Sequence, residues 1–425
     1  MKPLSYWLDS APAFRCAETG GLPARCETAV IGGGFTGLSA ALAMAREGID
    51  VVVLEAGRVA GAASGRNGGH CNNGLVRQVA AVADTFGLER ARAFYHTFDQ
   101  AVETVERVIA REGIACDFRR SGKIQLAAKP SHFGSLSRTH ALLASGIDTQ
   151  TSLVCPGDLS REIGSTRFHG GLVYHRSAML HPGRLGSGLA QAAHRHGARI
   201  WEDTEVTRWR RSGRGGHELE TAMGMLEAEK VLVATGAGTG PAFPHLHRRI
   251  LAVGSFIIAT EPLAQHLVDA IMPTRRTAVT TKHIGHYFRM APDNRLIFGG
   301  RARFARSDPG SDMKSGRLLA RSLKQIFPIL GDVRIDYCWG GMLDMTMDRL
   351  PRAGVVDGCH HAMGYSGHGV QMSVHMGEVM AKVMAGDVEA NPWRDLPWPA
   401  LPGHATRAAL LPLAGAWFRL RDLVS

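Results

Sequence analysis

The sequence predicts an α/β fold: a Rossmann-type domain interleaved with an α+β domain that carries a mixed or antiparallel sheet. Three observations predict it. A glycine-rich turn between two apolar strands opens the chain, further strand and helix patterns recur along it, and two stretches of different texture interrupt them. From Glu27, TAVIGGGFTGLSAALAMAREGIDVVVLEA reads as a short strand, a glycine turn, a helix of apolar and small residues, a stop at Gly48 and a second strand closed by Glu55 and Ala56. The phosphate loop is Gly32-Gly33-Gly34-Phe35-Thr36-Gly37. Gly32, Gly34 and Gly37 have separate tasks: a tight turn, close approach of backbone to a pyrophosphate, and close packing of helix on strand. The helix is expected to begin at Thr36 or Gly37, which turns its free N–H groups and positive dipole end toward phosphates. Glu55 stands where a carboxylate accepts hydrogen bonds from ribose hydroxyls. This unit points to a dinucleotide and leaves NAD and FAD both open.

Composition narrows the class. With 425 residues, 45% hydrophobic and 20% charged, the chain is long enough for a large core and two or three domains. The net charge of +11 comes from scattered residues, and Arg208-Trp209-Arg210-Arg211 reads as the solvated flank of a strand, so no nucleic-acid partner is expected. The 7 cysteines are an odd, widely spaced set with no C-x-x-C pair, which matches neither a disulfide framework nor a metal site and suits a reducing, cytoplasmic setting. MKPLSYWLDSAPAF lacks an apolar stretch of signal-peptide length, and no apolar run is long enough to span a bilayer. The stretch from Leu410 to Leu420 is too short to span and is expected to pack on the body of the protein.

Later segments separate the two dinucleotides. GRVAGAASGRNGGHCNNG, from Gly57 to Gly74, has no apolar periodicity and reads as a loop built for backbone proximity. HPGRLGSGLAQAAHRHGARIWEDTEVTRW reads as a helix from about Pro182 to His196, a Gly197 stop and a strand ending near Val206, and KVLVATGAGTG is a strand running into glycine turns. WGGMLDMTMDRLPRAGVVDGCHHAMGYSGHGVQMSVHMGEVMAKVMAG leads through strands to Gly367-His368-Gly369 at the mouth of a helix. In this order the motifs resemble the D-amino acid oxidase (DAO-like) superfamily of FAD-dependent oxidoreductases over nearly the whole chain. GRNGG, YFRMAPDNRLIFGGR, WGGMLDMTMDRLP and WRDLPWPALPGH carry a narrower similarity, to the γ-glutamylputrescine oxidase subgroup.

The resemblance implies FAD, with Ser64, Arg66, Asn67, Gly68 and Gly69 passing along the diphosphate and isoalloxazine. It implies a backbone contact to adenine near Val206, the Ala234-Thr235-Gly236 turn close to the cofactor, and Gly341 beside it. Gly367, His368, Gly369, Val370 and Gln371 then meet the pyrimidine end, where reduction places negative charge before a helix N-terminus. Some relatives tether FAD through a cysteine in the segment matching WGGML. This chain has Gly340 and Gly341 there, with Cys338 earlier, so FAD is expected to be non-covalent.

The expected organisation is discontinuous: an N-terminal extension over 1–25, FAD-binding pieces over 26–85, 155–250 and 339–390, substrate-domain pieces over 86–154 and 251–338, and a tail over 391–425 packing on the body. The implied reaction oxidises a C–N bond of an amine or amino acid, a γ-glutamylputrescine-like one included, by hydride transfer to flavin N5. The imine hydrolyses and O2 becomes H2O2. A dehydrogenase serving a quinone or carrier protein, and a non-catalytic nucleotide-binding sensor, are the alternatives. Among 20 histidines, His70 and His368 have a motif context near the ring. Tyr287 and Arg289 alternate on one strand and share a face suited to holding a substrate's carboxylate or polar tail. Lys282 is the upstream lysine that the resemblance offers for polarising oxygen over N5. The oligomeric state is not written in the sequence.

Overall fold

β-Branched runs build the first sheet. Val30 and Ile31 in the strand Arg25–Ile31, and the valines of Val51–Leu54, are stiff at χ1 and buried on both faces, as a parallel sheet covered by helices requires. The computed structural model describes all residues except 214, 283–284, 304–308 and 402–425. In its first sheet the strand order is Arg352–Val356, Cys359–Met363, Gly224–Val233, Arg25–Ile31, Val51–Leu54, Arg199–Trp201, and the hairpin Val206–Arg211/His217–Thr221 extends it from Gly224–Val233. Arg25–Ile31 runs parallel to both neighbours, with Ile31 opposite Leu54 and Val233. The chain order reverses at this strand, which makes its carboxyl end the switch point where such sheets bind ligands.

The helix Phe35–Arg46 starts one residue earlier than expected, with Gly34 as its N-cap. It packs closely on the helix Gly369–Met384: Ser39 Oγ donates to Val374 O at 2.7 Å, and a Cβ on Gly377 would lie 2.6 Å from Ser39 Cβ. The strand expected to end near Val206 ends at Trp201 instead. The chain turns through Asp203, at φ 50°, where the Asp203 and Thr204 amides donate to Gly57 O and Glu55 O, and Val206 then begins a separate strand whose Arg208, Arg210 and Arg211 are exposed.

The second sheet is mixed, as expected. Its order is Ile335–Met345, Leu251–Pro262, Arg295–Arg303, Tyr287–Met290, Thr277–Thr280, Lys123–Leu126, Gly171–Tyr174, Thr151–Val154; within this sheet, among the described residues, Thr277–Thr280 with Lys123–Leu126 is the parallel pair and the others are antiparallel. Two expected boundaries shift. Gly171–Tyr174 lies inside 155–250 and Ile335–Met345 crosses 338/339, yet both are strands of this sheet, because Val173 joins Ile124 and Phe288 in its core and WGGML pairs with Leu251–Pro262 along its length. The helix Pro309–Ile326 covers this core through Leu319 and Leu323. The hairpin turn falls at Asp293-Asn294, with Asn294 at φ 63°.

Of the tail, residues 391–401 are described: Trp393 stacks on Phe94 at 4.5 Å and Leu401 N donates to Arg248 O. The stretch Leu410 to Leu420 lies outside the described residues. No described helix is long and apolar enough to cross a membrane, and all 7 cysteines are unpaired.

Candidate active site

The phosphate loop is built from backbone. Gly32 takes φ 107°, and a Cβ there would lie 2.8 Å from Ala234 O, the start of the turn that continues through Thr235 and Gly236. A Cβ on Gly37 would run into Gly32 O, so the third glycine sets how closely helix meets strand. A Cβ on Gly34 would stand 3.0 Å from Ser64 Oγ, which accepts from Phe35 N. Position alone leaves the Thr36 and Gly37 amides without intrahelical partners; the Thr36 hydroxyl bonds Tyr365 OH at 2.9 Å. Glu55 Oε2 accepts from Gly33 N at 2.6 Å and Oε1 from Gly57 N at 2.9 Å, so the carboxylate braces both flanks of the loop. Burial raises its pKa and those two amides pull it down. Ala56 beside it is exposed, and Val206 is buried with Trp201 and Leu219.

The second loop, expected to be irregular, contains one helical turn, Ala63–Arg66. Asn67 holds it: Nδ2 donates to Ala63 O and Ser64 O, and Oδ1 accepts from Gly69 N. Arg66 Nε donates to Gly61 O at 2.9 Å and Nη1 to Gly340 O, and a Cβ on Gly341 would lie 3.2 Å from Arg66 Cβ. Cys338 points the other way, into the second core, where its thiol donates to Asp312 O and burial pushes it up to about 12.

Tyr287 and Arg289 do share a face, but the loop over 63–70 covers that face. Arg289 is 1% exposed and Nη1 donates to Gly69 O and Leu180 O, each at 2.7 Å, so it braces the loop rather than clamping a substrate carboxylate. Burial lowers its pKa to about 9. Tyr287 OH bonds Ser255 Oγ, and its ring stands edge-on to His70 at 5.6 Å. A Cβ on Gly68 would meet both rings at 3.0 Å.

His70 and His368 converge from opposite ends of the chain. Both ring nitrogens of His70 and Nδ1 of His368 are buried without hydrogen-bond partners. Burial, with the Arg289 and Lys123 charges adding to it at His70 and the Lys123 charge at His368, holds both imidazoles at about 3, so both are neutral at pH 7. His368 N-caps the helix Gly369–Met384, whose first turn presents Val370 and the fully buried Gln371; Gln371 Nε2 donates to Asn72 O at 2.6 Å and leaves Oε1 without a partner. Gly367, at φ 98°, faces open space.

Lys282 is not part of this cluster. It is exposed in the loop after Thr277–Thr280, where the strand ends and the chain turns to solvent. The lysine that the fold brings in is Lys123, 6% exposed, whose Nζ donates to Asn73 O at 2.8 Å and sits 3.9 Å from the Tyr174 ring centroid. Burial lowers its pKa to about 7, with Asp99 and Asp148 working the other way. Asn73 links it to them: Nδ2 donates to Asp99 Oδ1 at 2.8 Å, and Tyr95 OH donates to Asp148 Oδ2 at 2.7 Å. A lysine at an inward position of the apolar strand SGKIQLAA was the available signal. Asp344 was missed too, a carboxyl raised by burial to about 6 while accepting from Gly364 N.

These residues fit a flavin dinucleotide. A cradle that Cβ atoms would fill lies at Gly32, Gly34 and Gly37, and the unpartnered polar atoms of His70, His368 and Gln371 gather where a polar ring system would supply their hydrogen bonds. No cluster able to hold a metal ion occurs among the described residues.

Fold and site define a flavin-dependent oxidoreductase. The family description "FAD dependent oxidoreductase" (DAO) matches residues 27–383, and the chain belongs to that family. It is an FAD-dependent oxidoreductase. Gamma-glutamylputrescine oxidoreductase of Escherichia coli (strain K12) is 32% identical over 422 residues, 98% of each chain. Probable oxidoreductase OrdL of Rhizobium meliloti (strain 1021) is 31% identical over 94% of this chain and 92% of its own. Among solved structures, glycine oxidase from Geobacillus kaustophilus superposes with a TM-score of 0.69 at 21% identity, covering 89% of this chain and 97% of that one. An L-amino acid deaminase from Proteus vulgaris gives 0.72 at 18%, covering 90% and 96%. These two likenesses speak for the fold.

Proposed function

We propose that the protein oxidises the C–N bond of a γ-glutamylputrescine-like amine, using non-covalent FAD and returning the electrons to O2 as H2O2. The observation that carries this reading is Lys123, a buried amine whose pKa of about 7 lets it take a proton from an incoming ammonium, beside two neutral imidazoles. Loss of hydride from the carbon bearing nitrogen needs the amine neutral, and Lys123 Nζ holds the proton so released. His70 and His368 offer ring nitrogens that accept N–H bonds without adding charge next to the amine. When bound, FAD supplies the two-electron acceptor, and the amine leaves as an imine that hydrolyses to a carbonyl and ammonia. The glycine cradle anchors the phosphates, Glu55 braces that cradle through the Gly33 and Gly57 amides, and the loop from Ser64 to Gly69 excludes water from the ring side.

The likeness to gamma-glutamylputrescine oxidoreductase supports the substrate class. Seven unpaired cysteines suit a cytoplasmic setting. Cys338, turned into the second core, supports the non-covalent cofactor, and acid precipitation should leave yellow flavin in the supernatant and not in the pellet. The acceptor is tested by mixing reduced enzyme with air-saturated buffer: reoxidation as fast as turnover, with stoichiometric peroxide, is expected. Reoxidation much slower than turnover would replace O2 with a quinone or carrier protein.

A further inference from the structure

The loop beside the flavin site is held from behind by side chains drawn from four parts of the chain, one of them the N-terminal segment. Its single helical turn, Ala63–Arg66, ends with carbonyls that no further turn can satisfy. Asn67 Nδ2 takes Ala63 O and Ser64 O at 3.2 and 2.7 Å. Ser5 Oγ donates to Gly65 O at 2.7 Å, Trp339 Nε1 to Arg66 O at 2.9 Å, Trp7 Nε1 to Asn67 O at 2.8 Å and Arg289 Nη1 to Gly69 O at 2.7 Å. Six carbonyls between Ala63 and Gly69 are thus engaged by side chains. His70, the next residue, has both ring nitrogens buried without a partner.

Trp7 is the centre of this clamp. It is 0% exposed, although it lies only seven residues into the chain, and the Arg289 guanidinium lies 5.0 Å from its ring. Its neighbours Tyr6 and His181 contact it at 4.9 Å each. The segment before it is bolted to the edge strand of the second sheet, where Lys2 N donates to Asp336 O and Cys338 N to Lys2 O, one residue from Trp339. The N-terminal segment therefore ties the substrate sheet to the flavin-side loop.

We propose that Trp7, with Ser5, is a positioning residue of the cofactor site: its indole N–H fixes the carbonyl of Asn67 and so sets the shape of the loop against which the flavin ring lies. A buried indole whose donor is aimed at a backbone carbonyl fixes both packing and angle, and these two contributions are separable. Trp7→Phe keeps the aromatic volume and removes the donor; Ser5→Ala removes a hydroxyl alone. Each holoenzyme is compared with wild type by FAD dissociation constant, flavin absorption band shape and midpoint potential, with Tm as the measure of packing.

The expected result for Trp7→Phe is a three- to tenfold weaker FAD affinity with an altered flavin band and a shifted midpoint potential. Ser5→Ala should move the same readouts in the same direction by less. Trp7→His, which keeps a ring N–H, should retain more of the affinity than Trp7→Phe. A Trp7→Phe protein that loses Tm while its FAD affinity, band shape and potential match wild type would reduce Trp7 to core packing and overturn the proposal. None of these readouts uses a substrate, so they stand or fall separately from the assignment of the amine.

Discussion

The two ends of the cofactor site are made of different material. The phosphate end is backbone: three glycines, the amides of one helix mouth, and a Glu55 carboxylate that braces Gly33 and Gly57. The ring end is side chains: His70, Lys123 and the pair His368 and Gln371 come from three separated parts of the chain, and both ring nitrogens of His70, Nδ1 of His368 and Oε1 of Gln371 are buried without a partner. A backbone site recognises any pyrophosphate and depends on a Cβ being absent. A side-chain site depends on protonation states set by burial, so it can select one chemistry. Substitutions should therefore act on occupancy at the first end and on rate and pH dependence at the second.

The largest effect is expected at the phosphate end. Gly37→Ala places a Cβ against Gly32 O, a backbone atom that cannot move aside, and Gly34→Val crowds both Ser64 Oγ and the pyrophosphate. Both variants should purify as largely apo protein by the ratio of flavin to protein absorbance. Full FAD occupancy in either would show that the loop is not the phosphate site.

At the ring end, Lys123→Met should lower kcat/KM at pH 8 by about 100-fold, the scale of a lost proton acceptor. Lys123 is deprotonated above its pKa of about 7, so wild-type activity should rise with pH through that region, and the variant should lack this limb. Stability follows the same sign. The unfolded lysine keeps its proton up to the ordinary value of 10.5, so between about 7 and 10.5 the unfolded state binds more protons and wild-type stability rises with pH. Denaturant melts of Lys123→Met should be flatter across that window. An unchanged pH–rate profile would assign the limb to another group.

Arg289→Lys sharpens the boundary between the two ends. The shorter lysine stops short of the point from which Nη1 donates to both Gly69 O and Leu180 O, so a loss of about 2 kcal/mol is expected in chemical denaturation, with KM for the amine within threefold of wild type. A tenfold rise in KM with unchanged stability would restore the carboxylate-clamp role expected from strand alternation. The smallest effect belongs to Glu55→Gln, whose side chain offers one oxygen where two amides donate. FAD should bind a few-fold more weakly by fluorescence titration, about 1 kcal/mol.

The same contrast explains what was legible in the sequence. Gly32, Gly34, Gly37 and Glu55 could be read because each task is local, set by the strand before and the helix after. His70 and His368 could be placed only through the motifs around them, and their neutrality follows from burial that no local pattern records. Arg289 was on the expected face, yet what covers that face comes from residues 5–7 and 63–70, far away in the chain. Lys282 and Lys123 illustrate the limit most clearly: both sit at or beside a strand, and only the sheet order, which pairs Lys123–Leu126 with Thr277–Thr280, decides which lysine points inward. The domain boundaries shifted for a related reason. WGGML has a glycine-rich texture like the cofactor loops but is a strand of the second sheet, hydrogen-bonded to Leu251–Pro262.

The most direct test mixes oxidised holoenzyme anaerobically with γ-glutamylputrescine, simple polyamines and ordinary amino acids in turn, and follows the flavin band. Rapid bleaching by γ-glutamylputrescine, faster at pH 8 than at pH 6, is the expected result. A band that stays yellow with every amine in the panel would contradict the assignment of this site to amine oxidation.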